Sequence, residues 1–164
     1  MSQLGVVLLL SLLHLRLDLV PVGWDHVSAR GVERSEVVVL QEITDDLRTR
    51  LRISEQVHVT LVEHNPLVLS VETLSGRTGP FVITIDRGFI NELSRQEAEA
   101  AVAHELGHVW IYTHHPYLQT ERMANDIAMR VINRSAFEPV YKKVWERTGI
   151  AGNLIEFLGP PSQQ

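Results

Sequence analysis

There is no cysteine among the 164 residues of this chain. That excludes a disulfide framework and any metal site built on thiolates, although it fixes no compartment. Positive charge is not in excess either, since 15 Lys and Arg stand against 20 Asp and Glu for a formal net charge of -5. Such a balance gives no electrostatic footing for nucleic acid. An apolar run long enough to span a bilayer is missing as well. Leu4 to Leu13 has only the length of a signal-peptide h-region, and His14, Arg16 and Asp18 interrupt its continuation, so no stable transmembrane anchor is expected. No repeat or low-complexity tract is evident. What is present, 45% hydrophobic residues over this length, suffices for one compact domain with a real core.

Residues 1–23 form an apolar N-terminal segment that admits two readings. As an export signal it would be cleaved, the mature domain would begin near Trp24, and the protein would act outside the cytoplasm. It lacks a basic n-region and an A-x-A-like cleavage site, so it serves equally as a core strand or helix of a cytoplasmic protein. The alternation of Leu13, Leu15, Leu17 and Leu19 fits a strand. Residues 24–164 are expected to hold the functional domain.

Within that domain, His104-Glu105-Leu106-Gly107-His108 fills the pattern H-E-x-x-H. A four-residue step advances a helix by slightly more than one turn, which sets both imidazoles on one face as a claw for a single Zn²⁺. Glu105 stands beside the metal without ligating it, where a carboxylate takes the proton from the attacking water. The flanks support a helix. Ser94-Arg95-Gln96-Glu97 reads as a capping box, so a helix is predicted from about Arg95 to about Thr113. Ala98, Ala101, Val102, Leu106, Val109 and Trp110 are its core-facing positions. Ala100, Ala101, Ala103 and Gly107 keep side chains small where a backbone or the metal comes close.

A catalytic zinc needs a third protein ligand and an open position. His114, His115 and Pro116 break the periodicity, and Thr120 can cap a second helix running from Glu121 to about Asn133. Glu121 is the favoured third ligand. Asn125, one turn further on, is then placed to bond a metal-bound imidazole and fix its tautomer. His114 and His115 are alternative ligands or oxyanion donors. Tyr117 and Tyr141 are further oxyanion candidates, and the residues leave the choice among these four open.

Upstream, Val37, Leu40, Thr44, Leu47 and Leu51 recur at helical spacing on a charged background, which predicts a backing helix. Val57–Val62 alternates as a half-buried strand. Two more strands are predicted over Leu67–Val71 and Phe81–Ile85, separated by a turn-rich stretch.

The two helical motifs resemble the gluzincin pattern, in which a glutamate on a second helix follows H-E-x-x-H. His64-Asn65-Pro66-Leu67-Val68-Leu69-Ser70, and the stretch from Gly79 to Ser94, are similar to the HtpX and CAAX-prenyl-protease type of metallopeptidase. There a strand, a short helical leader and the H-E-x-x-H helix follow in this order. The resemblance covers about Val57 to Asn133. One position departs from it, because the HtpX type carries aspartate where this chain has Asn125. Glu121-Arg122-Met123-Ala124-Asn125 instead resembles the Glu-x-x-Ala-Asn of the ImmA/IrrE regulatory metallopeptidases.

What the resemblance implies is a minimal zincin-like metallopeptidase domain of the α+β class over 24–164. It would contain a small mixed β-sheet, a backing helix, an active-site helix and a glutamate helix. Zincins lend a strand edge to an extended substrate, so the resemblance suggests Phe81–Ile85 as a strand to which a peptide adds, the alternative being a buried strand with no free edge. The expected activity is zinc-dependent endopeptidase action on a peptide or protein substrate. Zn²⁺ would be held by His104, His108 and Glu121, with Glu105 as general base. Two alternatives stand beside it: an ImmA/IrrE-like regulatory metalloprotein acting on one protein partner, and a non-catalytic zinc-binding domain. Oligomeric state is not read from these residues.

Overall fold

The computed structural model describes residues 27–75 and 79–161, so the apolar segment 1–23 lies outside the described residues. Helix α1 (Val27–Arg50) buries Leu40, Ile43 and Leu47, with Leu51 just beyond its end. Each such side chain contributes roughly 1.5–3 kcal/mol on full burial. Thr44, in the same stripe, spends its hydroxyl on the Leu40 carbonyl at 2.8 Å. After the helix, the Arg48 guanidinium gathers the carbonyls of Ile53, Ser54 and Glu55 and turns the chain into the sheet.

The sheet is mixed, with strands β1 (Val57–Val62), β2 (Leu69–Thr73) and β3 (Phe81–Asp86) in the order β1-β3-β2. β3 runs parallel to β1, with Val57 opposite Phe81, and antiparallel to β2, with Leu69 opposite Ile85. The fold is thus α+β, as expected. Of the two readings of Phe81–Ile85, the buried strand is the one the structure shows. β3 is the inner strand, bonded on both sides, and its Phe81, Ile83 and Ile85 are buried. The outer edge of β1 is occupied too. There the Gln41 amide donates to the Val57 carbonyl at 2.9 Å and accepts from the Val59 N–H at 3.0 Å, imitating a neighbouring strand. β2 is the other outer strand of the sheet.

β2 begins two residues later than its hydrophobicity predicts. Asn65 accepts the Leu67 N–H on its side chain and the Val68 N–H on its carbonyl, which closes a turn over Leu67 and Val68. Val68 is held there at φ 69°, buried, in a region that β-branched residues rarely enter. At the same end of the sheet, β3 delivers Asp86. This nearly buried carboxylate accepts from the N–H groups of Asn65 and Phe89 and from Arg147. Burial pushes its pKa up, but the two backbone donors and the Arg147 charge outweigh burial, and the group ends below its ordinary value. Asp86 also caps the short helix α2 (Arg87–Ile90), the leader ahead of the next element.

Helix α3 (Arg95–His114) opens on the predicted capping box. Glu97 reaches back to the Ser94 N–H at 2.6 Å, and the Ser94 hydroxyl accepts from the Glu97 N–H. Lys143, on α5 (Arg134–Thr148), bonds both Glu97 and the Glu92 carbonyl, which fixes α5 to the start of α3. α3 is packed by α1, β2, β3, α4 and α5. A helix enclosed on so many sides must be small and apolar nearly all round, and Ala98, Ala100, Ala101, Val102, Ala103, Leu106, Gly107, Val109 and Ile111 are buried.

Helix α4 (Glu121–Ala128) is five residues shorter than predicted. The amides of Arg130, Val131 and Ile132 turn back onto the carbonyls of Ile127 and Ala128, and Asn133 takes the N-cap position of α5, with no side-chain cap bond, instead of ending α4. α4 crosses α3 at Gly107, where an added Cβ would stand 2.3 Å from the Ala124 carbonyl oxygen. The last element is α6 (Leu154–Leu158). Among the described residues no helix is long and apolar enough to cross a membrane.

Two stability outcomes follow from this architecture. Gly107→Ala is expected to force α3 and α4 apart and to cost roughly 2–3 kcal/mol in urea unfolding at pH 7. Asp86→Asn is expected to cost about 2 kcal/mol at pH 7. Because the folded pKa of Asp86 is depressed, its stabilisation is present above the unfolded value near 3.8 and is lost as pH falls through the folded value. The difference between wild type and Asp86→Asn therefore shrinks below about pH 4.

Candidate metal centre

α3 projects His104 and His108 from successive turns, and α4, capped by the Thr120 hydroxyl on the Met123 N–H, presents Glu121 at its first position. The two imidazoles converge through Nε2, which lie 3.2 Å apart. Glu121 faces both, with Oε2 at 3.2 Å from His104 Nε2 and Oε1 at 3.5 Å from His108 Nε2. One donor atom from each residue lies within 4.8 Å of the others. A tetrahedral ion with bonds of about 2.0–2.1 Å separates its ligands by about 3.3 Å, so the donor set and its spacing fit a metal ion.

The outer nitrogens of the imidazoles are also engaged. His104 Nδ1 lies 2.9 Å from Asn125 Oδ1, and Asn125 is fully buried. The Asn125 amide nitrogen bonds the Phe157 carbonyl at 3.0 Å and the Tyr141 hydroxyl at 2.6 Å. A carbonyl only accepts, so the amide NH₂ must face Phe157 and the amide oxygen must face His104. His104 therefore donates from Nδ1, and Nε2 is the atom that faces Glu121 and His108. His108 is arranged in the same way by a residue the sequence reading did not single out. Gln119 Oε1 lies 3.1 Å from His108 Nδ1, and Gln119 Nε2 donates to the His108 carbonyl at 3.2 Å.

The cluster favours positive charge. Burial alone would lower the His104 pKa, but the hydrogen bond and charge of Glu121, the charge of Glu105 and the Asn125 contact raise it to about 9. Glu121 is pushed up by burial and pulled down more strongly by both histidines, ending well below the usual carboxylate range. Glu105 is 6% exposed and accepts no hydrogen bond from any other described residue. Burial raises its pKa, and the two histidines oppose that only in part.

Of the four oxyanion candidates, the structure brings one to the cluster. The Tyr141 ring packs edge-on against His104 at 6.1 Å, and its hydroxyl accepts from Asn125, so the phenolic proton remains available to another acceptor. Burial, reinforced by Glu121 and Glu105, raises its pKa and keeps it a neutral donor. His114 is stacked on Trp110 at 4.1 Å, with Nδ1 on the Trp110 carbonyl, and His115 ends α3. Tyr117 is 90% exposed. None of these three belongs to the cluster. The Phe157 carbonyl, like Gln119, was not anticipated, and a backbone oxygen leaves no signal in a sequence.

Three converging donors with a buried carboxylate beside them, on an α+β scaffold, make a candidate metal centre. Among solved structures, the chain is similar to the metallopeptidase zymogen abylysin of Pyrococcus abyssi. The TM-score is 0.49 and the identity 15%, over 67% of this chain and 95% of that one. No protein-family model matches the sequence, and no curated protein matches it.

Uptake of a divalent cation must displace the proton that the cluster holds on His104. Metal affinity is therefore expected to rise about tenfold per pH unit between roughly pH 7 and 9 and to flatten above the His104 value of about 9. Competition with a chromophoric chelator across that range measures the slope.

Proposed function

We propose that this chain is a zinc-dependent endopeptidase. Glu105 carries the reading. A structural metal site has no use for a buried, unpaired carboxylate beside its donors, whereas hydrolysis requires a base there. The two histidines and one glutamate are a donor set suited to zinc with a position left open. Bound zinc would polarise a scissile carbonyl and lower the pKa of water at its open position.

The remaining steps belong to side chains. Glu105, its basicity raised by burial, accepts the proton of the attacking water and hands it to the leaving amine. Tyr141 donates its free phenolic proton to the oxyanion of the tetrahedral intermediate. Asn125 holds the His104 imidazole in the tautomer that binds a cation.

Asn125 favours a second reading at the level of substrate. An amide in place of the aspartate of the HtpX type makes the motif resemble the ImmA/IrrE metallopeptidases, for which the substrate would be one dedicated protein partner rather than unfolded chains in general.

The test combines zinc content with cleavage of an unfolded protein by wild type, Glu105→Gln, Glu121→Ala and Tyr141→Phe. Wild type is expected to hold near-stoichiometric zinc, and Glu121→Ala to lose most of it. Glu105→Gln should keep zinc and lose roughly 10²–10⁴-fold in rate. Tyr141→Phe should keep zinc and lose roughly 10²-fold in kcat. Stoichiometric zinc in wild type without cleavage of any unfolded substrate would move the reading to the dedicated partner. Absence of zinc from wild type would end both.

A further inference from the structure

His108 is gripped at both ring nitrogens by one short stretch of chain. Nε2 faces Glu121, and Nδ1 faces Gln119, two residues earlier. Between them, Thr120 caps α4. The Gln119 amide is anchored on the residue it serves, because its nitrogen donates to the backbone carbonyl of His108 itself. That carbonyl can only accept, so the amide cannot flip without losing the bond, and its oxygen is held towards Nδ1. Gln119 is half-buried, whereas its neighbours Tyr117 and Leu118 point into solvent, so the loop is tied down at this side chain.

We propose that Gln119 is a positioning residue that fixes His108 as the Nδ1–H tautomer and so sets the affinity of the centre for zinc. Its action on the metal rests on the reading of the centre given above. Neutral imidazole in water divides between two tautomers, and only the form protonated on Nδ1 presents Nε2 to an ion. An amide oxygen held at 3.1 Å selects that form before the ion arrives. Asn125 does the same for His104 by a different route, through a carbonyl far along the chain, so the two imidazoles are preset independently.

The test uses the full chain with Gln119→Ala, Gln119→Met and Gln119→Glu. Two quantities are read: the zinc dissociation constant by chelator competition, and the His108 tautomer from long-range ¹H–¹⁵N correlations on the metal-free protein. Removing the acceptor in Gln119→Ala and Gln119→Met is expected to weaken zinc roughly 10–100-fold and to mix the His108 tautomers. Gln119→Glu, whose carboxylate still accepts from Nδ1–H, is expected to restore the tautomer and most of the affinity.

Three results would overturn the proposal: unchanged zinc binding in Gln119→Ala and Gln119→Met, an unchanged His108 tautomer in both, or an equal loss in all three variants. The last would show that the side chain merely packs the loop. Unfolding temperatures of the metal-free variants identify any that fail to fold, and the near-isosteric Gln119→Met keeps the comparison valid if Gln119→Ala does. If wild type takes up no zinc, the functional reading falls, while the tautomer measurement still decides what Gln119 does to His108.

Discussion

Everything at the candidate centre depends on how closely two helix backbones approach. α3 and α4 meet at Gly107 and Ala124, where there is no room for even one methyl group. At that separation the first position of α4 falls opposite the imidazoles of α3, and the position one turn later falls behind His104. A carboxylate side chain spans only a few ångströms. Were the helices further apart, Glu121 would reach neither histidine and Asn125 would face empty space. The small residues of the H-E-x-x-H helix therefore set a distance, and the geometry of the donors is a consequence of it.

Electrostatics and hydrogen bonding complete what the crossing begins. Two carboxylates beside two imidazoles favour positive charge there, and two side-chain amides contact the outer nitrogens of the rings. The scaffold around this point is fastened in the same manner, by side chains that answer backbone groups. Gln41 stands in for a strand along β1, Arg48 gathers three carbonyls, and Asp86 joins a loop, a helix start and α5. With no disulfide available, long-range order in this chain rests on packing and on such polar fasteners.

Much of this was legible in the amino-acid sequence where the signal is local. The capping box of α3, the bounds of β1 and the start of α4 at Thr120 follow from residues within a few positions of one another. So does the gathering of His104, His108 and Glu121, since helical spacing fixes the first two and a cap places the third. Strand order was not legible. The alternation in Phe81–Ile85 is the same whether a strand lies at an edge or at the centre, and the partners that make β3 internal come from distant segments. The end of α4 was misplaced because Met129–Ile132 is a good helical sequence, and only the caps and carbonyls around it divert the chain. Gln119 lay hidden for another reason. A loop glutamine has three side-chain torsions, and nothing local tells which carbonyl it will find.

One bond ties the centre to a distant stretch of chain. The amide that faces His104 is itself held by the Phe157 carbonyl, 32 residues further along. An imidazole on α3 is thus oriented by a backbone oxygen of α6. Without that carbonyl the Asn125 amide would keep only the Tyr141 hydroxyl, which can both donate and accept and so does not decide which way the amide points.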